Sequence, residues 1–281
     1  MLGRSIRLCR VVVLVSLLRI HPDTKFFEVQ AWFHDLLRKS AEQLFELGEV
    51  KVNRIFLAGA NPFALSTRQP LEIAGLVHER FPQTRSVGCF TRVTEAAMKS
   101  DEELTELTQA GFDGRIIGIE SGYDEALAFM DKGYETVDIV ERYRRLDAVS
   151  ISYAFFYLAG IASKGRGIES AQATAAVCNQ TNPWLIGTNM LTVYRSSELY
   201  REIDAGRWIE AGEVEKHEEI RELLLDLEIP TEFAMLGASN PVMICGRLPE
   251  QREEIVGAIE VVVRDVGEER LRAYRAGLNR L

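Results

Sequence analysis

Ile117-Gly118-Ile119-Glu120-Ser121-Gly122, running on through Leu127, Met130, Asp131, Lys132 and Gly133, is the stretch on which the fold turns. Upstream, Asp113-Gly114 turns the chain into residues 115–119, which read as a short strand. Downstream, residues 123–130 and 136–146 carry apolar side chains at helical spacing. A strand that ends in a glycine-flanked glutamate and passes by a short loop into a helix is one unit of a parallel α/β sheet. A carboxylate in that place can accept hydrogen bonds from the hydroxyl or amino groups of a ligand. A helix-capping or ion-paired glutamate is the plainer alternative.

The same pattern repeats on both sides. Residues 32–47 show helical apolar spacing, and 52–57 read as a buried strand ending in Ala58-Gly59-Ala60-Asn61-Pro62. A helix follows, with Ser66 and Gln69 spaced as a capping box, Pro70 in its first turn, and Ile73, Leu76, Val77 and Phe81 as its stripe. Residues 85–90 are a third strand. Ser100 and Glu103 form a second capping box, opening a helix that Gly111 stops. Residues 151–158 and 184–193 read as strands on either side of a helix at 169–179. With the valine-rich residues 11–18 this makes six strands joined by helices, and hence a parallel sheet. Helices on one face would close it toward a barrel, and helices on both would make it doubly wound. Periodicity does not choose, but ligands sit at the carboxyl ends of the strands in either case.

After about residue 200 the pattern changes. A charged helix spans 215–227, residues 233–245 look irregular around Gly237 and Asn240-Pro241, and Pro249 opens a helix to about residue 264 before a last short one. The expected organisation is an atypical segment at 1–24, an α/β body at 25–204 and a mainly helical extension at 205–281.

Apolar residues at 47% and charged residues at 27% place the chain among globular proteins. A net charge of −9 argues against nucleic acid as a partner. The five arginines between 264 and 280 alternate with Asp265, Glu268 and Glu269, as on a solvated amphipathic helix. Cys9, Cys89, Cys178 and Cys245 are too scattered for a local metal site, and this usage suggests a reducing cytoplasm. His21, His34, His78 and His217 show no metal-ligand spacing. The apolar run at 11–18, preceded by Arg4, Arg7 and Arg10, is too short to span a membrane. It reads as a strand, with a targeting segment as the alternative.

Four strand-end segments together resemble the radical SAM superfamily, in the branch that includes oxygen-independent coproporphyrinogen oxidases. They are 57–62, 117–122 with its continuation to Gly133, 157–162 and 192–200. Ser100 to Leu104, Ala110-Gly111-Phe112, Ser239-Asn240-Pro241 and Gly246 to Pro249 extend the likeness over roughly residues 25 to 262. The resemblance implies a partial (β/α)6 TIM-like barrel that binds S-adenosylmethionine and a [4Fe–4S] cluster, takes a small-molecule substrate and draws on a reductant protein when active. It implies that Gly59, Ala60, Asn61 and Pro62 approach the amino group of S-adenosylmethionine. It also implies that Glu120 and Ser121 lie on the ligand, Gly160 near the adenine, and Tyr194 beside it. Ala60 stands where the family has glycine, and residues 192–200 lack the family's glycine and prolines.

The family's C-x3-C-x2-C loop is missing. It belongs before about residue 25, where only Cys9 occurs, and one thiolate cannot hold a cluster. Three accounts stay open. The true start or reading frame lies elsewhere, the barrel has lost radical chemistry and only binds a small molecule, or this is another α/β barrel using Glu120 in acid–base work.

Overall fold

The computed structural model describes residues 12–17, 52–59 and 61–277. The helix expected at 32–47 and Cys9, His21, His34 and Ala60 lie outside them. The chain divides into two compact units, Met1–Ile116 with Ala148–Ser152, and Ile117–Asp147 with Tyr153–Leu281.

In the first unit, β1 (Val12–Leu17), β2 (Arg54–Gly59) and β3 (Ser86–Arg92) run parallel in that order. Side chains alternate across a strand. Ile55, Leu57, Val87 and Cys89 are fully buried on one face, and on the other Phe56 is buried against a half-exposed Phe90. A 3-10 turn at Pro62–Ala64 leads into α1 (Arg68–Arg80), which buries Pro70, Ile73, Ala74 and Val77. The cap of α1 is Thr67, one residue later than the spacing predicts. Only half of the expected box forms: Gln69 Oε1 accepts the Ser66 N–H at 3.2 Å. Thr67 instead gives its hydroxyl to Glu103 at 2.5 Å, a contact between helices that no local pattern encodes.

The short α2 (Val93–Ala96) was not expected. By contrast, α3 (Asp101–Gln109) forms its full capping box, with Ser100 Oγ accepting the Glu103 N–H at 3.2 Å and Glu103 accepting the Ser100 N–H at 2.8 Å. Gly111, at φ +76, ends α3 as expected. Phe63 anchors the turn after β2. Its ring lies 4.3 Å from the Arg115 guanidinium and 5.2 Å from Lys99 Nζ, and the carbonyls of Gly114, Phe112 and Leu65 take the cations' hydrogen bonds. Ring faces and carbonyls thus offset the desolvation of two buried cations.

β4 (Gly114–Glu120) starts in the first unit and ends in the second. There β5 (Ser152–Ala159), β6 (Leu185–Met190) and β7 (Thr231–Met235) are parallel, and β8 (Ile244–Leu248) is antiparallel to β7. The helices are α4 (Asp124–Phe129), α5 (Thr136–Ala148), α6 (Gly167–Cys178), α7 (Glu198–Asp204), α8 (Glu213–Asp226), α9 (Arg252–Asp265) and α10 (Gly267–Gly277). The eight strands among the described residues exceed the six expected, because residues 231–235 and 244–248 form a hairpin-like pair, and only 236–243 of the stretch expected to be irregular lacks regular structure. The reason is the open edge of β6, whose backbone groups need partners. Phe233 and Met235 point into the core while Glu232 and Ala234 do not, so the pattern is short and its apolar content low.

Burial also decides what periodicity left open. In the second unit Tyr153, Phe155, Tyr157, Ile186, Thr188, Met190, Phe233 and Met235 are buried, and of the alternate residues Phe156, Leu158, Asn189, Glu232 and Ala234 remain partly exposed while the small Ala154 is buried. Helices therefore cover one face of these strands. Tyr143 of α5 seals that face, with ring centroids 5.1 Å from Tyr153 and 5.0 Å from Phe155. Such pairs add about 0.5–1.5 kcal/mol each beyond their burial.

Phe155→Ala is expected to cost about 3–5 kcal/mol in urea unfolding. Phe156→Ala, its neighbour on the other face, should cost much less. Equal costs would contradict the one-sided burial.

Candidate functional site

The stretch that opened the sequence is built residue by residue around Glu120. Gly118 leaves room for its side chain, since a Cβ there would sit 2.7 Å from Glu120 Oε1. Glu120 itself has φ +58, in the left-handed region that side chains rarely adopt. The turn closes where the Ser121 N–H donates to the Ile119 carbonyl at 2.6 Å. Tyr134 donates its hydroxyl to that same carbonyl at 3.1 Å. A left-handed residue of this kind costs about 1–3 kcal/mol and persists only where its surroundings enforce it. The carboxylate is partly exposed and lies 3.5 Å from Lys132 Nζ. A pair this exposed is worth about 0–1 kcal/mol, so a ligand can replace it at little cost.

Ser121 and Gly122 fix the turn against α6. Ser121 is fully buried, and its Oγ lies 3.1 Å from Ser170 Oγ while accepting the Tyr123 N–H at 3.1 Å. It holds the turn. Gly122 lies against α6, donating its N–H to Thr174 Oγ1 at 2.7 Å. A Cβ there would approach Thr174 Cα to 2.5 Å.

From Ser170 the network continues to the turn after β5. Tyr157 Oη is 3.2 Å from Ser170 Oγ and makes a short hydrogen bond to Glu219 of α8. Glu219 Oε2 accepts the Gly160 N–H at 2.9 Å. Gly160, at φ +88, is thus already engaged, and a Cβ on it would meet Lys216 Cε at 2.8 Å. The absence of a side chain there permits close packing under α8. Glu219 is fully buried, and desolvation pushes its carboxyl up to about 8 despite the hydrogen bonds from Tyr157 and Gly160.

Tyr194 is 58% exposed, in the loop before Ser197 caps α7. In the first unit Gly59 ends β2 and Asn61 precedes the 3-10 turn that Pro62 opens. Asn61 Oδ1 is buried without a hydrogen-bond partner among the described residues.

The buried charges of α8 escape a reading of the sequence as a charged helix. Glu213, Lys216, His217 and Glu219 are all buried, and Arg275, among arginines expected to be solvated, is 7% exposed and paired with Glu213 at 3.0 Å. A signal was there. Residues 213, 216, 217, 220 and 224 continue one helical stripe, apolar at its end and charged at its start. Burial holds His217 below its ordinary pKa, so its neutral ring donates from Nδ1 to the Glu213 carbonyl at 2.7 Å.

Cys89 and Cys178 are buried thiols held above their ordinary pKa by desolvation, and Cys245 is exposed. No group of three or more metal-ligating side chains occurs among the described residues. No helix among them is long and apolar enough to cross a membrane.

No protein-family model and no curated protein matches the chain. Its structure is similar to that of Elp3 from the archaeon Methanocaldococcus infernus, at 16% identity and TM-score 0.56 over 75% of this chain and 53% of that one. It is also similar to coproporphyrinogen III oxidase (HemN) from Escherichia coli, a radical SAM enzyme, at 14% identity and TM-score 0.51 over 90% of this chain and 52% of that one. The chain spans about half the length of either. The likeness shows the fold, the α/β partial TIM-like barrel of radical SAM enzymes, in agreement with the strand–helix reading.

Gly122→Ala is expected to destabilise the protein by about 1–3 kcal/mol, because only backbone atoms of α6 surround the added methyl. Glu219 binds its proton more tightly folded than at its ordinary value of 4.5, so it favours the folded state most below that value. This contribution is lost as pH rises toward about 8. Unfolding free energies measured across this range should fall with pH, and Glu219→Gln should flatten the decline.

Proposed function

We propose that this chain binds S-adenosylmethionine at the carboxyl end of β4, with Glu120 accepting hydrogen bonds from the ligand's hydroxyl or amino groups. The observation that carries this reading is the left-handed backbone of Glu120, held by the Ser121 turn and by Tyr134, with its carboxylate partly open. Strain at a strand end, enforced by a buried network behind it, is the usual mark of a functional position.

A [4Fe–4S] cluster does not fit the residues present. It needs three thiolates from one loop. The chain has no C-x3-C-x2-C, and its described cysteines are two buried thiols and one exposed one on separate elements. The proposed activity is therefore binding without radical cleavage, and the reactions of the similar enzymes stay theirs. Ligand binding costs the Glu120–Lys132 pair, and Lys132 then becomes free to meet an anionic group.

Calorimetric titration with S-adenosylmethionine is expected to show saturable binding that Glu120→Ala weakens by about tenfold, the worth of a hydrogen bond to a charged group. A folded wild-type protein that gives no heat of binding would sink the reading. Anaerobic reconstitution with iron and sulfide should leave the protein colourless. About four irons per chain would overturn the assignment as a binder without a cluster.

A further inference from the structure

The hydrogen-bond chain behind Glu120 is able to run in either direction. Its links join Ser121 Oγ to Ser170 Oγ at 3.1 Å, Ser170 Oγ to Tyr157 Oη at 3.2 Å, and Tyr157 Oη to Glu219 Oε1. In the first two links either oxygen can be the donor. The ends are fixed. Ser121 Oγ accepts the Tyr123 N–H at 3.1 Å, and Glu219 Oε2 accepts the Gly160 N–H at 2.9 Å. All four side chains are buried. Thr174, beside Tyr157, is committed elsewhere, donating to the Ser170 carbonyl at 2.6 Å and accepting the Gly122 N–H at 2.7 Å.

The protons on this chain can be counted. With Glu219 ionised, three hydroxyl protons serve three links: Ser121 donates to Ser170, Ser170 to Tyr157, and Tyr157 to Glu219. Every group is then met. A proton taken from solvent by Glu219 is a fourth. The Gly160 N–H occupies Oε2, so the new proton lies on Oε1 and faces Tyr157. Tyr157 and Ser170 each have a neighbour on both sides, so each reverses its hydroxyl. Ser121 ends the chain, and its own proton is left without an acceptor there. A buried donor without a partner is unfavourable. The residue that bears it follows Glu120 directly.

We propose that Glu219 is a positioning residue for Glu120: its carboxylate form directs the hydroxyl chain so that Ser121 holds the turn, and its acid form reverses the chain and releases Ser121. The effect on affinity rests on the S-adenosylmethionine reading above, and the reversal itself does not. The charged groups acting on Glu219 are Glu215 and Lys216 of its own helix. β5 presents Tyr157 and the Gly160 amide to it, and α6 presents the backbone of Gly167. α9 and α10 meet α8 through the Arg221–Glu260 and Glu213–Arg275 pairs instead. Burial sets the change at about pH 8, and a ligand that needs the held turn binds the ionised form, so affinity rises as pH rises through that value.

The first test needs no ligand. In protein labelled with ¹⁵N at glycine and tyrosine, the Gly160 amide reports the proton on Glu219, and the Tyr123 amide reports its arrival at Ser121. Both resonances should shift with one midpoint between about pH 6 and 9.5. In Tyr157→Phe and in Ser170→Ala, which interrupt the chain at different links, Gly160 should still titrate and Tyr123 should not follow. In Glu219→Gln neither should titrate, because Gly160 demands the amide oxygen and the NH2 then faces Tyr157 as a permanent donor. The second test is calorimetric titration with S-adenosylmethionine. Its α-amino group titrates at about 8 by itself, so the native protein is compared with Glu219→Gln at each pH. The two should bind alike near pH 6, and the native protein about tenfold more tightly near pH 9.5. The inference is overturned if Gly160 does not titrate, if Tyr123 does not follow it, or if Tyr123 still follows it in both interrupted variants. Equal affinities of the two proteins near pH 9.5 overturn it as well. Amides that titrate together in a protein that binds no S-adenosylmethionine at any pH uphold the chain reversal and sink the reading above.

Discussion

The second unit depends on one buried chain of hydrogen bonds, from Ser121 through Ser170 and Tyr157 to Glu219 and the Gly160 amide. Each link is a polar group out of water, and each would cost free energy without its neighbour. Together they join the end of β4, the first turns of α6, the middle of β5 and the centre of α8. The carboxyl of Glu219 is held largely protonated by burial, so it can share a proton with Tyr157 without placing a bare charge in the core.

That chain explains why Glu120 can keep a strained backbone. Ser121 is held from behind, Gly122 is pressed onto α6, and Tyr134 takes the carbonyl that the turn exposes. The glycines of the motif then have separate reasons. Gly118 clears space for the glutamate, and Gly122 permits close approach of a helix. Gly160 permits close packing beneath Lys216. The likeness to solved structures extends to the scaffold, and within it Glu120 keeps a partly exposed carboxylate.

The first unit is organised around a different constraint. Phe63 lies against two buried cations, Lys99 and Arg115, and so pins the turn after β2 to the start of β4. Asn61, just before that turn, keeps an acceptor without a donor among the described residues. The hydroxyl of Thr67 reaches Glu103 rather than capping α1, which is why the helix starts one residue beyond the apparent box at Ser66.

The sequence by itself determined the alternation of strands and helices from residue 52 to 200, the Ser100–Glu103 box, the stop at Gly111, and Glu120 as the open carboxylate of its strand end. Those features rest on local rules, on side-chain period, capping and turn chemistry, which neighbouring residues settle among themselves. Tertiary structure alone decided the rest. It added β7 and β8, because the edge of β6 had backbone groups to satisfy. It chose burial on one face, because helices pack where Tyr153, Phe155 and Tyr157 point. It turned the charged start of α8 inward, because Glu213 finds a partner on Arg275, and Glu219 on Tyr157 and Gly160, far away in sequence. Whether a charged side chain is solvated or buried depends on partners that only the folded chain brings together.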